Sequence, residues 1–324
     1  MASDAELIAD RRRMRRKLSF WRALGFAALL GALIVVGWRI AGPGDLDSIR
    51  TAHIARVEIS GVITNDRPRM EMLERIAESR AVRGVIVSIN SPGGTVTGAE
   101  ELYQSLRALA QDKHVVAFVD GTAASGAYIA ALASDHIVSR ETAVVGSIGT
   151  VFQMPNVREL LDNIGISMLE LRSTPLKAAP SPTGEIDEEA VAALRELVDD
   201  TYAWFRELVA ERRALDAQAT ADVADGRVHI GRRALALSLV DALGNEDDAL
   251  AWLTEAHDVD SDLPVETWRP YRERSAFDLM TSAAFLADVA GFERLSGQLY
   301  GFVGHRERIE LDGLLAIWQP ELEN

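Results

Sequence analysis

The sequence predicts an α/β fold: a largely parallel sheet with βα crossovers, preceded by one transmembrane helix. From His53 onward, short β-branched runs alternate with amphipathic stretches, a pattern typical of βα units in a parallel sheet. The run Gly84–Ile89 is almost continuously apolar, as expected for a strand that helices cover on both faces. Before these units, a basic segment leads into an apolar one, the order expected of a membrane anchor.

The membrane anchor is predicted from residues 20–41. Six basic residues in Arg11–Lys17 precede an apolar run that Trp21 and Trp38 bracket. A helix between these tryptophans would be about 26 Å long, and flanking arginines can reach the interfaces of a hydrocarbon core of about 30 Å. Positive charge stays on the cytoplasmic side, so the N-terminus is expected inside and the body outside. A buried core helix and a cleaved signal peptide remain as alternatives.

The predicted organisation follows from these boundaries. The chain is expected to begin with a cytoplasmic basic tail (1–19), which is followed by the anchor (20–41) and a linker (42–52). A main domain (53–258) and a C-terminal extension of unknown role (259–324) complete it. Strands are predicted at 53–63, 84–90, 114–120, 136–140, 143–149 and 167–172. Helices are predicted at 68–80, 98–111, 125–134, 156–164, 187–213, 231–238 and 246–256. The tail has one apolar patch, which we expect to pack against its own domain and which consists of Leu314, Leu315, Ile317 and Trp318.

Composition excludes several classes of function. Residues 1–39 carry eight Arg/Lys and three Asp/Glu, whereas the whole chain carries 34 and 49. The body is therefore strongly acidic, which argues against nucleic acid as a partner because such binding requires neutralised phosphates. No cysteine is present, so thiol nucleophiles and disulfides are excluded. The six histidines are scattered without metal-ligand spacing, and neither a metal nor another cofactor is predicted.

Two glycine-containing loops are candidates for chemistry. The loop Asn90–Gly94 (NSPGG) follows a buried strand and precedes a helix. Its proline and two glycines favour a backbone that can turn N–H groups toward an anionic oxygen, although an ordinary tight turn would use the same residues. The second loop, Gly121–Tyr128, places Ser125 at the start of an apolar helix. That serine is either an N-cap or a nucleophile beside the N–H of Gly126.

A serine nucleophile requires a base, and the three lysines are the residues to compare. Arginine stays protonated, whereas a lysine in dry surroundings can lose its proton. Lys17 lies in the basic cluster and Lys113 in a polar turn. Lys177 lies in a loop with no other charge between Arg172 and Glu185. Lys177 is therefore the candidate base, and a solvated surface lysine is the alternative.

Taken together, these stretches resemble the signal peptide peptidase A family, bacterial Ser–Lys peptidases with a fold related to Clp protease and the crotonases. The matching stretches lie between about residues 55 and 250 and read GVIVSINSPGGTVTGAEELYQSLRAL, VDGTAASGAYIAALASDHIVS, VGSIGT, STPLKAAPSPTGEIDEEA and DGRVHIGRRALALSLVDALG.

The resemblance implies a serine endopeptidase of the bacterial inner membrane whose catalytic domain lies outside the cytoplasm. The implied roles are nucleophile for Ser125, general base for Lys177, oxyanion hole for Gly93 or Gly94 together with Gly126, and lysine orientation for Ser147. Substrates would be remnant signal peptides and other unfolded apolar segments. A homo-oligomeric ring is expected, in which a neighbouring chain can supply the lysine.

Three other functions remain open at this point. The first is a related membrane peptidase that works beside stomatin-like proteins. The second is a crotonase-type acyl-CoA enzyme, and the third is a catalytically inactive membrane scaffold.

Overall fold

The computed structural model describes Trp21, residues 51–257 and 259–271, and residues 314–317. Apart from Trp21 and Thr51, these residues belong to the unit that begins at Ala52. The strands are β1 (His53–Ser60), β2 (Val82–Ser91), β3 (Gly93–Thr95), β4 (Val115–Ala124), β5 (His136–Ser139), β6 (Val144–Gly146), β7 (Val151–Phe152), β8 (Val228–Ile230), β9 (Ala242–Leu243), β10 (Val265–Trp268) and β11 (Leu314–Ile317). The helices are α1 (Arg67–Glu78), α2 (Val96–Asp112), α3 (Gly126–Leu132), α4 (Arg158–Asn163), α5 (Glu188–Arg213), α6 (Ala217–Val223), α7 (Gly231–Ala236) and α8 (Glu246–His257).

The main sheet is largely parallel, as the sequence predicts. Its strand order is β10-β1-β2-β4-β5-β9, and every neighbouring pair in that order is parallel. The strand β6 is parallel to the C-terminal end of β4 and pairs with it, and β8 pairs with β6 in the antiparallel sense. Residues 265–268, which lie beyond the main domain predicted from the sequence, therefore join this sheet as β10.

Both faces of the sheet are covered, which explains the apolar strands. In β2, Val85 and Val87 belong to the larger core cluster together with residues of α1, α2 and α3. Ile86 belongs to a second cluster, which includes Leu253 of α8. Because successive side chains of a strand point to opposite faces, a run such as Val85–Val87 can be buried throughout only between two layers of helices.

A smaller antiparallel sheet lies beside the main one in the described part of the chain. Its order is β3-β11-β7, and β11 is the segment Leu314–Ile317 near the end of the sequence. Residues 314–317 of the predicted apolar patch pair with strands of their own domain, while Trp318 lies outside the described residues.

The strand predicted at 167–172 is wrong. This segment has no regular secondary structure, and Leu169 and Leu171 are 84% and 90% exposed. Strand preference depends on a neighbouring strand and a covered face, and the described residues supply neither here. The helix α6 was not predicted, because the stretch 217–223 is short and carries only a weak apolar pattern.

The predicted anchor at 20–41 lies outside the described residues apart from Trp21. Within the described ranges, no helix combines the length and the apolar character needed to cross a membrane.

Candidate active site

Ser125 occupies a strained turn between the central strand β4 and the helix α3. Its backbone has φ 55° and ψ −118°, a region that costs a residue other than glycine about 1–3 kcal/mol and that is concentrated at functional sites. The turn is fixed on both sides, because the Ser125 N–H donates to Gly146 O (2.7 Å) and its carbonyl accepts from Tyr128 N (2.9 Å). The side chain occupies the N-cap position but makes no capping hydrogen bond. The alternative that this hydroxyl is an ordinary helix cap is therefore wrong.

The helix α3, which begins directly after Ser125, is fixed by burial and by hydrogen bonds near both of its ends. Every residue of α3 is buried, and the Tyr128 hydroxyl donates to Leu239 O at 2.8 Å. Burial raises the pKa of Tyr128 well above its ordinary value, so this phenol remains a donor. Arg212 of α5 donates to Leu132 O (2.7 Å) and Ser134 O (2.9 Å), which satisfies carbonyl groups that the end of a helix leaves without partners. The serine turn therefore rests on a rigid support.

Ser147 follows the neighbouring strand at the same level as Ser125. The parallel register pairs Ala124 with Gly146, so the two serines come directly after paired positions. Ser147 also has a positive φ, 52°, and its N–H donates to Arg227 O at 2.9 Å. Both serines therefore stand at the carboxyl edge of the sheet, where ligands of α/β proteins bind.

The glycine loop runs past the same edge. Ser91 at the end of β2 pairs with Ala123 of β4, which places the loop beside the Ser125 turn. Gly93 has φ 101°, and its N–H already donates to Ser91 Oγ at 3.1 Å. Of the two glycines predicted for an oxyanion hole, Gly93 therefore already uses its N–H within the loop, and Gly94 lies opposite Ala316 of β11.

Gly94 has no room for a side chain. A Cβ built on it would lie 1.7 Å from the carbonyl oxygen of Ile63. Ile63 is also hydrogen-bonded to both neighbours of Gly94: its N–H donates to Gly93 O (2.8 Å), and its carbonyl accepts from Thr95 N (2.9 Å). The bridge to Ile63 thus fixes the loop and requires glycine at this position.

Gly94→Ala is expected to displace β3, lower the free energy of unfolding by about 1–3 kcal/mol, as overpacking does, and remove most peptide hydrolysis. Thermal unfolding and a peptide cleavage assay measure the two effects. Gly149→Ala is the matched control, because its Cβ would meet nothing closer than Gly226 Cα at 3.7 Å. Wild-type stability and turnover in Gly94→Ala would contradict the close approach.

Lys177 lies on an exposed loop. The backbone N–H of Lys177 donates to Thr174 O at 3.1 Å, and the next residue, Ala178, has φ 57°. Within the part of the chain that the structure describes, its ammonium group makes no hydrogen bond or ion pair. A single chain therefore brings Ser125, Ser147, Gly94 and Gly126 together but does not give Lys177 the dry surroundings expected from its sequence.

A polar cluster that sequence reasoning missed holds the base of the lysine loop. The Glu170 carboxylate accepts hydrogen bonds from Ser181 Oγ, from Arg172 Nε (3.1 Å) and from Thr183 Oγ1 (2.9 Å). Arg172 also donates to Pro175 O at 3.3 Å. The bonds from Ser181, then Arg172 and Thr183, lower the pKa of Glu170 from 4.5 to about 2. The signal in the sequence is a pair of charges at 170 and 172 followed by hydroxyl residues at 181 and 183.

This cluster predicts a loop that loosens in acid. Because the folded-state pKa of Glu170 is lowered, its stabilising contribution is fully present above about pH 4.5 and is lost as the pH falls toward 2. We expect hydrogen exchange of the amides at 173, 174 and 176–179 to be faster in wild type near pH 2.5 than at pH 7, after correction for intrinsic rates. Glu170→Gln should show the same faster exchange already at pH 7. Glu185→Gln, which removes an exposed ion pair to Arg158, is the control. Equal protection in Glu170→Gln and wild type would contradict this role for the cluster.

No set of three or more histidine, aspartate or glutamate side chains that could hold a metal ion occurs among the described residues.

Comparison with known proteins places this chain in a family. The sequence pattern of Peptidase family S49 matches residues 107–260, and that of Clp protease matches residues 64–143.

A relative from Synechocystis sp., named as a protease, is 35% identical over 64% of this chain and 76% of its own length. One from Methanocaldococcus jannaschii, also named as a protease, is 31% identical over 74% and 81%. One from Enterococcus faecium, named as a signal peptide peptidase, is 31% identical over 61% of each chain. The chain, with its Clp protease-like sheet, therefore belongs to peptidase family S49 and is a serine peptidase.

Proposed function

We propose that this chain is an endopeptidase in which Ser125 is the nucleophile and Lys177 the general base. The observation that carries the proposal is the Ser125 turn, which combines a strained backbone with a hydroxyl not used as a cap. A sharp strand-to-helix turn that presents a serine is the arrangement that hydrolases use for a nucleophile. Lys177 is the base because the two other lysines lie in the N-terminal basic cluster and in a polar turn.

The reaction proceeds in two halves. The neutral amine of Lys177 accepts the proton of Ser125 while Oγ attacks the peptide carbonyl carbon. The oxyanion that forms accepts hydrogen bonds from the N–H groups of Gly94 and Gly126, and Gly126 is suited to this because the first N–H of a helix has no partner within it. The C–N bond then breaks as the leaving amine takes the proton from Lys177. Water, deprotonated by the same amine, then attacks the acyl carbon. The bond from that carbon to Ser125 Oγ breaks, and Oγ takes the proton back from Lys177. Ser147 orients the lysine in both halves.

A neighbouring copy of the chain is needed to complete this site. Lys177 is exposed in the single chain, whereas a lysine that acts as a base needs dry, apolar surroundings. The proposed role therefore requires another surface to cover the loop. The surrounding segment, 160–197, exposes many large apolar side chains, and patches of this kind mark interaction sites. These side chains are Leu160, Ile164, Ile166, Met168, Leu169, Leu171, Leu176, Ile186, Val191 and Leu197. Packing of copies in a ring would cover this segment and bring Lys177 of one copy to Ser125 of the next.

The proposed substrates are remnant signal peptides and other unfolded apolar segments. The short strand β3 borders the serine turn and pairs with the apolar segment β11 in the described structure, so the groove beside it accepts an extended chain. A peptide bound there has to be extended, which a folded protein does not offer. The predicted anchor at 20–41 would hold the site against the outer face of the bacterial inner membrane, where such segments are left. The relative named as a signal peptide peptidase supports this choice.

Cleavage of a defined peptide tests the function. The full-length protein in detergent is incubated with a synthetic signal peptide, and mass spectrometry locates the cuts. We expect cuts within the apolar run of the peptide and none in a folded control protein. An intact signal peptide together with turnover of an acyl-CoA thioester would instead support a crotonase-type enzyme.

A further inference from the structure

The short strand β8 lies beside the strand that leads to Ser147. Val228 and His229 of β8 pair with Gly146 and Val145 of β6, and Ser147 follows β6 directly. In the described part of the chain β8 pairs with no other strand, so it forms an edge of the sheet. A segment with few partners opens more readily than the core, and β8 has only three residues.

Two backbone hydrogen bonds connect β8 to the serine turns. Arg227, which immediately precedes β8, accepts the Ser147 N–H at 2.9 Å. Gly146, which pairs with Val228, accepts the Ser125 N–H at 2.7 Å. If β8 moved away from β6, Ser147 would lose its hydrogen bond and Gly146 would lose the strand that fixes it. The position of β8 therefore affects the backbone of both proposed site serines.

The imidazole ring of His229 packs against Gly146. A Cβ built on Gly146 would lie 3.5 Å from His229 Cδ2, so the ring lies next to this glycine. The adjacent ring atom, Nε2, is buried and has no hydrogen-bond partner among the described residues. A neutral ring can keep its proton on Nδ1 and leave a lone pair at Nε2. An imidazolium ring would instead bury an N–H donor and a positive charge there without an acceptor.

The charges around His229 do not offset the cost of this burial. Burial is the largest effect and lowers the pKa of His229 below its ordinary value. The carboxylate of Asp225 raises this pKa, whereas the positive charges of Arg227 and Arg233 lower it. Asp225 already forms an ion pair with Arg227. The other charged side chains at the start of α7 and in the turn it contacts pair with each other, and they are Arg232 and Glu141.

We propose that His229 is a positioning residue for the two serine turns and that its ring holds β8 against β6 only while the ring is neutral. This inference rests on the proposed function, because it makes the turn of the nucleophile sensitive to mild acid. Opening of β8 exposes Nε2 to water, so the open form binds a proton that the closed form disfavours.

The sign of the pH effect follows from the lowered pKa of His229 in the closed form. Well above about pH 6.5, the ordinary pKa of histidine, both forms are neutral and protonation does not affect opening. As the pH falls below that value, the open form takes up a proton first and its population grows. The effect is complete once the pH is below the pKa of the closed form.

Hydrogen exchange of the Ser125 and Ser147 amides measures the position of β8 without any catalysis. The wild-type protein is compared near pH 7.5 and near pH 5, after correction for intrinsic rates. We expect the protection of both amides to be about 10-fold lower at the acidic pH. In His229→Phe, whose ring stays uncharged, the protection should be the same at both pH values. His229→Gln is a second uncharged replacement and should behave in the same way.

His136→Phe is the matched control. His136 begins β5 and pairs with Val116 near the start of β4, whereas Ser125 follows the end of β4. Burial lowers the pKa of His136 as well, and its ring stacks on Trp252 with 5.0 Å between centroids, a contact that phenylalanine can keep. This variant should therefore retain the wild-type loss of protection at Ser125 and Ser147.

The pH profile of kcat/KM then connects His229 to the reaction. The value of each protein near pH 5 is divided by its own value near pH 7.5, so that the titration of Lys177, which all variants share, cancels in the comparison. The ratio for wild type should be about 10-fold lower than the ratio for His229→Phe, while His136→Phe should match wild type.

Three results would overturn the inference. The first is wild-type protection that does not change with pH, and the second is an equally large change in His229→Phe and His229→Gln. The third is unfolding of both variants at pH 7.5, since an uncharged side chain should replace a neutral histidine. A wild-type protein that cleaves no peptide but shows the expected exchange would instead count against the proposed function and leave the role of His229 in place.

Discussion

Ser125→Ala is expected to abolish peptide hydrolysis in a protein that remains folded. Loss of a serine nucleophile typically lowers kcat by about 10⁴- to 10⁶-fold, because no other group can form the acyl intermediate. Stability should change by no more than about 1 kcal/mol, since the buried Ser125 side chain makes no capping bond and the backbone of both variants has to adopt the same turn. Steady-state cleavage and thermal unfolding measure the two quantities.

Ser134→Ala is the matched control for this change. Ser134 is a buried serine (4% exposed) that lies just beyond the other end of α3, and its hydroxyl has no hydrogen-bond partner in the described structure. Its removal should leave turnover near wild type. If Ser125→Ala retained turnover, the assignment of the nucleophile would be wrong.

Lys177→Ala should have an effect of similar size, because serine and its base act as one unit. Lys177→Arg is expected to be equally inactive, since a guanidinium stays protonated and cannot accept the serine proton. The control is Lys113→Ala: the Lys113 ammonium group donates to Ser79 O at 2.8 Å, at the end of β4 opposite the serine turn. Turnover in Lys177→Arg would exclude this lysine as the base.

Mixing the two inactive variants tests the sharing of sites between copies. If Lys177 serves a neighbouring chain, randomly mixed assemblies of Ser125→Ala and Lys177→Ala chains in equal amounts contain intact sites, about a quarter of the total in a closed ring. If Lys177 serves its own chain, mixing restores nothing. The exposure of Lys177 in the single chain leads us to expect restoration.

The parallel sheet was predictable because its strands are recognisable from local sequence. Runs such as Gly84–Ile89 are apolar at nearly every position, and burial on both faces accounts for that pattern. The turn at Ser125 was predictable for a similar reason, since small residues separate a buried strand from an apolar helix. Comparison of the three lysines identified Lys177 as the candidate base, and the family resemblance supplied the expected role of Ser147, which no local pattern could assign.

The features that could not be predicted depend on contacts between distant segments. The apolar patch at 314–317 was recognisable, but its pairing with β3 and β7 joins residues more than 160 positions apart, and composition does not encode such a register. The segment 167–172 has the composition of a strand yet finds no partner among the described residues. The exposure of Lys177 was missed because an uncharged sequence around a lysine does not show whether the fold covers it.

Covalent labelling with a serine-directed fluorophosphonate tests most directly whether Ser125 is a nucleophile activated by Lys177. The wild-type protein and Lys177→Ala are treated with the probe, and peptide mass spectrometry locates the adduct. We predict one adduct, on Ser125, which forms rapidly in wild type and only slowly without Lys177. An adduct on another serine, or labelling of Ser125 at the same rate in both proteins, would contradict this mechanism.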